Sequence, residues 1–132
     1  TTYSYATVTE MTGETIKTVL EDVCDNLFNP DPYYQQGGDM VRVGGLQYSC
    51  DPVAKMGNRI NDMRLNGKLI DPQKKYKVAG WAPVAEEARS AGNPQVWEVV
   101  ETWLKSKGGK VSARKVNRPT LTGGLPNPGY SA

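Results

Sequence analysis

The sequence predicts an α+β fold, a mixed sheet packed with helices, and three observations carry that prediction. An amphipathic helical run follows a short strand-like start, three or four strand-like runs come next between glycine, proline and Asn-Gly turns, and a second helical run follows them. No internal repeat interrupts this order. At 132 residues the chain fits one domain, able to bury roughly two thirds of its unfolded surface. The expected boundaries are a domain over residues 1–109 and an extended basic tail over residues 110–132.

The first residues alternate, Tyr3, Tyr5 and Val8, in the manner of a strand entered without its usual surroundings. That predicts an excised domain whose targeting signal lay upstream. A helix is expected from Thr12, which can cap the first turn, with Glu14 at the positive end of the dipole. Ile16, Val19, Leu20, Val23, Cys24 and Leu27 then form one stripe at helical spacing, while Glu14, Lys17, Glu21 and Asp25 are expected on the solvent face. This helix ends before Asn29-Pro30.

Residues 29–38, NPDPYYQQGG, are too rich in proline, glycine and amides for regular structure and read as a loop. A strand is expected over residues 40–50, interrupted by a bulge at Gly44-Gly45, with Leu46, Tyr48 and Cys50 on one face. Ile60, Met63 and Leu65 lead into Asn66-Gly67, a strong signal for a type I′ hairpin, with residues 68–70 returning. Asp71-Pro72 turns the chain again, and residues 76–81 form a further strand with Tyr76 and Val78 on one side and Trp81 in the core. Residues 83–89 suit a short helix. Asn93-Pro94 is a better helix start, placing a capping amide before a proline. Val96, Val100, Trp103 and Leu104 line one face, widened by Trp97 and Val99, and Gly108-Gly109 stops the helix.

Sixteen basic against 14 acidic residues leave a net charge of +2, too balanced to announce nucleic-acid or membrane binding. No run approaches the ~20 apolar residues of a membrane span, so a soluble chain is expected. Histidine is absent, which excludes Ser-His-Asp and Cys-His catalysis and the commonest zinc sites. Asp39, Asp51, Asp62 and Asp71 sit beside Gly or Pro or in a strand, where aspartate is an ordinary turn residue, so no metal site is expected. Cys24 and Cys50 both fall on apolar faces; packing as small hydrophobes is the preferred reading and a disulfide the other. The basic tail, Lys105, Lys107, Lys110, Arg114, Lys115 and Arg118, reads as a solvated end or as a rim attracting an acidic protein.

The binding pattern is GGDMVRVGGLQYSCDP, residues 37–52. It sets Arg42 between two glycine pairs. Glycine lets backbone approach a ligand closely, and the guanidinium fork suits an oxyanion such as carboxylate, phosphate or sulfonate. The competing reading pairs Arg42 with Asp39 or Asp51. Tyr33 and Tyr34 either fold back as a lid on the core or wall a pocket whose floor holds Arg42.

Over about residues 8–84 these segments resemble the C-terminal domain of the five-prime nucleotidase superfamily. The resemblance lies in EMTGETIKTVLEDV, GGDMVRVGGLQYSCDP, the GNRI segment and LNGKLIDPQKKYKVAG. In such enzymes an N-terminal metallophosphatase domain holds two metals, and the C-terminal domain supplies recognition residues across a cleft. Nucleotidases place a phenylalanine where Met40 stands and a GGDGF-like segment after the strand that here reads YKVAGW; both clamp the base. This chain continues APVAEEARSAG instead and has little with which to stack a nucleobase.

The EMTGE opening, the inserted NPDPYYQQGGDMVRVGG loop and a terminal Asn-Pro-Gly make the chain similar, nearly end to end, to the thiosulfohydrolase family of sulfur oxidation. That resemblance implies a periplasmic dimanganese hydrolase, which releases sulfate from a cysteine-S-sulfonate on the C-terminal arm of SoxY in the SoxYZ carrier. This chain is then the substrate-recognition half, with no catalytic residue or metal ligand of its own. Its two manganese ions belong to an N-terminal domain, and the chain alone is expected to be inactive. Arg42 is expected to hold the sulfonate, Gly37, Gly38, Gly44 and Gly45 to leave room for the arm, Tyr33, Tyr34 and Gln36 to wall the channel, and Met40 to give a slim apolar contact. The competing readings are the C-terminal domain of a nucleotide hydrolase and a non-catalytic carrier-docking module.

Overall fold

The structure, a computed structural model, describes residues 5–80, 92–112 and 117–123. Tyr3, Trp81, the short helix expected over residues 83–89, Arg114, Lys115 and the terminal Asn-Pro-Gly lie outside them. The chain divides into two units, one of Thr1–Thr12 with Lys75–Val116, the other of Gly13–Lys74 with Asn117–Ala132.

The first unit holds β1 (Thr7–Thr12) and β2 (Lys75–Gly80), paired antiparallel, with Met11 opposite Tyr76 and Thr9 opposite Val78. Period-two alternation buries Thr7, Thr9 and Met11 on one face. Val8, expected in the strand's apolar set, is on the exposed face. Tyr76 and Val78 share a side, as expected. The helix of this unit, α1 (Val96–Ser106), starts two residues later than the Asn93-Pro94 signal suggests. Asn93 and Pro94 instead tie the helix entry to the strand start: the Asn93 amide donates to Ala6 O at 2.8 Å, and Ala6 N donates to Pro94 O at 3.1 Å. Gln95 takes the cap position, where its N–H donates to the Glu98 carboxylate at 2.9 Å. At the other end Gly108 and Gly109 adopt positive φ and close the helix on Lys105 O and Leu104 O.

The second unit contains the buried core. Its helix α2 (Gly13–Phe28) packs on a four-stranded sheet of β3 (Leu46–Cys50), β4 (Ile60–Leu65), β5 (Lys68–Leu69) and β6 (Thr120–Leu121). Their order across the sheet is β5-β4-β3-β6. Leu20 and Cys24 of the helix meet Leu46, Tyr48, Cys50, Ile60 and Met63 of the sheet. The helix begins at Gly13, where an added Cβ would collide with Asp71 O and Ile70, so only glycine admits this approach. Orphan N–H groups of the first turn are satisfied by the same turn, Gly13 on Lys74 O and Glu14 on Pro72 O, both at 3.1 Å.

The Asn66-Gly67 prediction holds: both residues have positive φ, and Leu65 pairs with Lys68 across the two-residue loop. A bulge does occur, but in β4 rather than at Gly44-Gly45. The pairing shifts between Gln47 and Ser49, and Asp62 stands at φ +49°. That extra residue lets Ile60 and Met63, three apart, face the core together. Only residues 46–50 of the expected strand over residues 40–50 are strand; residues 40–45 run irregularly into it, with Gly45 at φ +85°. The expected tail also differs. Thr120 and Leu121 pair in parallel with Ser49 and Cys50, and Thr122 N donates to Cys50 O at 2.8 Å, so this stretch belongs to the sheet.

Candidate functional site

The candidate site is the excursion between α2 and β3, and its shape is set from the helix outward. Glu21 and Asp25, expected on the solvent face, do not lie there. Glu21 is buried and accepts from Ile60 N at 2.7 Å and Gly57 N at 2.8 Å, so both carboxylate oxygens fix the chain entering β4. Arg59, 2% exposed, donates to Asp25 Oδ1 at 2.5 Å, Ala54 O at 2.8 Å and Phe28 O at 3.3 Å. Its guanidinium hydrogen bond, with a second from Asn29, holds the Asp25 carboxyl below its ordinary pKa. A charge this buried persists only because ion partner and carbonyls converge on it.

Asn29 passes this rigidity into the loop. Its amide donates to Asp25 Oδ2 at 2.8 Å, its Oδ1 accepts from Asp31 N at 3.0 Å, and its carbonyl accepts from the Gln35 side chain at 2.8 Å. Asp31 then caps a 3-10 turn, Pro32–Tyr34, through Tyr33 N. The segment expected to lack regular structure therefore has a short turn of it. Tyr33 and Tyr34 stand edge to face, ring centroids 5.3 Å apart, and are 83% and 55% exposed. Neither is a lid on the core.

From Met40 to Val43 the chain is pinned from beneath. Met40, Val41 and Val43 pack against the core cluster, and Arg42 between them points out, its side chain 90% exposed. It pairs with Asp39, Nη2 to Oδ2, at 3.1 Å. Asp51, the other suggested partner, caps its own turn by accepting from Val53 N at 3.1 Å. The Asp39 pair is solvent-screened and worth about 0–1 kcal/mol, so a bound anion can displace it cheaply. No hydrogen bond or ring contact joins Arg42 to Tyr33 or Tyr34. Gln36 is exposed.

The glycines separate into two kinds. Gly45 needs its positive φ, and a Cβ on Gly37 would press on Asn26 at 3.1 Å. At Gly38 and Gly44 no atom of the described residues lies within 4 Å of where a side chain would stand, and neither has a positive φ, so nothing among those residues requires glycine there.

Sequence reasoning missed Glu21 and Arg59. Glu21 follows Leu20 and precedes Cys24 by three, at the edge of the apolar stripe, and Arg59 adjoins core Ile60. An ionisable residue touching an apolar stripe was the available signal. Cys24 and Cys50 are free thiols, both buried, with sulfurs 3.3 Å apart. Contact with Cys50 and burial push the Cys24 thiol far up. Burial pushes the Tyr48 phenol up to about 12. Among the described residues no three His, Cys, Asp or Glu side chains could hold a metal ion, and Asp62 and Asp71 serve Arg64 Nε and Gln73 N. The described residues do not fit a manganese pair.

An α+β unit of this kind, with a helix-to-strand excursion that displays an outward arginine, fits one known class, and the chain belongs to the 5'-nucleotidase C-terminal domain family, whose model matches residues 3–90. Among solved structures it is similar to the sulfate thiohydrolase SoxB of Thermus thermophilus in complex with glycerol. Identity is 35% over 92% of this chain and 23% of that one, with a TM-score of 0.74. It is also similar to a Staphylococcus aureus protein assigned as a 5'-nucleotidase, in complex with α-ketoglutarate, at 15% identity over 90% of this chain and 28% of that one, TM-score 0.65. That second likeness shows the fold alone. No curated protein matches the chain. The chain spans 23% and 28% of the lengths of these two structures. The expected fold class is borne out.

Proposed function

We propose that this chain is the substrate-recognition domain of a periplasmic thiosulfohydrolase that releases sulfate from a cysteine-S-sulfonate on the SoxYZ carrier. The observation that carries the reading is Arg42: a guanidinium held outward by core-packed neighbours, in a chain 35% identical to a sulfate thiohydrolase. A terminal sulfonate is a tetrahedral anion, and the fork of Arg42 can hold two of its oxygens while its weak pair with Asp39 opens. Open space at Gly38 and Gly44 suits a narrow carrier arm, with Met40 as an apolar contact and Tyr33, Tyr34 and Gln36 along its path. The two manganese ions belong to the N-terminal metallophosphatase domain, so this chain alone is inactive.

The test is sulfate release from S-sulfonated SoxYZ by the full-length protein. Arg42→Ala should lower kcat/KM by about 100- to 1000-fold, the loss typical of one oxyanion donor, with an unchanged circular dichroism spectrum. Rates within threefold of wild type would remove Arg42 from the site. Adenosine monophosphate in the same assay separates this reading from nucleotide hydrolysis. An arm peptide that binds this chain equally well with and without its sulfonate would make it a docking module.

A further inference from the structure

We propose that Cys24 and Cys50 are a disulfide-forming pair that covalently closes the excursion carrying Tyr33, Tyr34 and Arg42. Cys24 lies in α2 and Cys50 ends β3, so the two anchors of that excursion are the two residues whose sulfurs touch, at 3.3 Å. Each sulfur's hydrogen-bond partner is the other. Among the described residues no third His, Cys, Asp or Glu joins them to make a metal site, their neighbours being Leu20, Leu46, Tyr48, Ile60 and Met63, and Glu21 nearby in sequence is occupied by two backbone N–H groups. A catalytic thiol needs exposure and a nearby cation to keep it ionised, whereas these are 0% and 3% exposed. Covalent pairing is what this geometry serves.

The oxidant is a disulfide, either a small one such as glutathione disulfide or a protein one. One cysteine thiolate attacks it and releases one thiol; the second thiolate attacks the resulting mixed disulfide, forms the Sγ–Sγ bond and releases the second thiol. Two protons and two electrons leave the pair, and one external disulfide becomes two thiols. Because the finished core covers both sulfurs, exchange takes place as the chain folds. The already folded, reduced protein should react slowly.

The full chain, unfolded in denaturant with reductant, is refolded in a glutathione and glutathione disulfide buffer, alkylated under denaturing conditions and weighed. The expected product has lost two hydrogens, takes up no alkylating reagent, and yields one cross-linked peptide pair containing Cys24 and Cys50. Its circular dichroism spectrum should match that of the reduced protein. Two alkylated cysteines, or a glutathione adduct on each, would overturn the pairing, and so would a bonded product without the native spectrum. Cys24→Ser should leave Cys50 as an alkylatable thiol. No substrate enters this experiment, so its outcome is independent of the sulfonate assay.

Discussion

Arg42 and Arg59 have the same side chain and opposite physics. Arg42, at the surface, holds one weak partner and is available to an anion; removing it should cost function and almost no stability. Arg59 is enclosed and holds Asp25, Phe28 O and Ala54 O. Arg59→Met should therefore destabilise the fold by about 1–3 kcal/mol, the cost of losing a charge-assisted hydrogen bond to the half-buried Asp25 and leaving buried carbonyls unmet; urea unfolding reads this directly. Asp25 adds a pH dependence. Its folded pKa is depressed by the Arg59 and Asn29 hydrogen bonds, so its stabilisation is fully present above the unfolded value of about 3.9 and is lost as pH falls through the folded value. Asp25→Asn should flatten the acid limb of the stability curve below about pH 4.

At the scale of elements, two glycines test two kinds of steric argument. Gly67 holds φ +79° in the β4–β5 hairpin with open space around it, so Gly67→Ala should cost only the left-handed penalty of about 1–2 kcal/mol. Gly13 lies against Asp71 O and Ile70, and Gly13→Ala must push α2 from the turn, with a cost of about 1–3 kcal/mol and altered helix packing. Thermal unfolding compares the pair, and nuclear magnetic resonance shifts in α2 should move only for Gly13→Ala. The hairpin was readable because Asn-Gly dictates its own backbone. The β4 bulge was half readable: apolar residues at 60, 63 and 65 break a period of two, yet the pattern does not say which residue is extra. Helix α1 was readable in extent and in its glycine stop, but its apolar residues Trp97, Val99, Val100, Trp103 and Leu104 are all exposed. Periodicity reports that a face is apolar and is silent on what covers it.

For the whole molecule, the unit holding the candidate site, Gly13–Lys74, is completed by a stretch that follows it much later in the sequence, where Thr120 and Leu121 pair with Ser49 and Cys50. Removing residues 117–132 strips β6 from the edge of β3 and frees Cys50 O, which accepts from Thr122 N. Stability should fall by about 1–3 kcal/mol, the worth of a few backbone hydrogen bonds, and urea unfolding of the truncated chain measures it. The sequence by itself determined the α+β class, helix α2 with its apolar stripe, the Asn66-Gly67 turn, the apolar placement of both cysteines and the presence of Arg42 among glycines. Each follows from sterics or periodicity acting over a few residues. Tertiary structure alone decided that Glu21 is buried and Asp25 half-buried against Arg59, that Arg59 braces the loop, that Arg42 faces outward and that the expected tail returns as β6. Those outcomes depend on partners 34 residues apart for Arg59 and Asp25, 39 for Ile60 and Glu21, and 72 for Thr122 and Cys50. A buried polar atom takes whichever partner folding brings to it, and no local pattern of residues names that partner in advance.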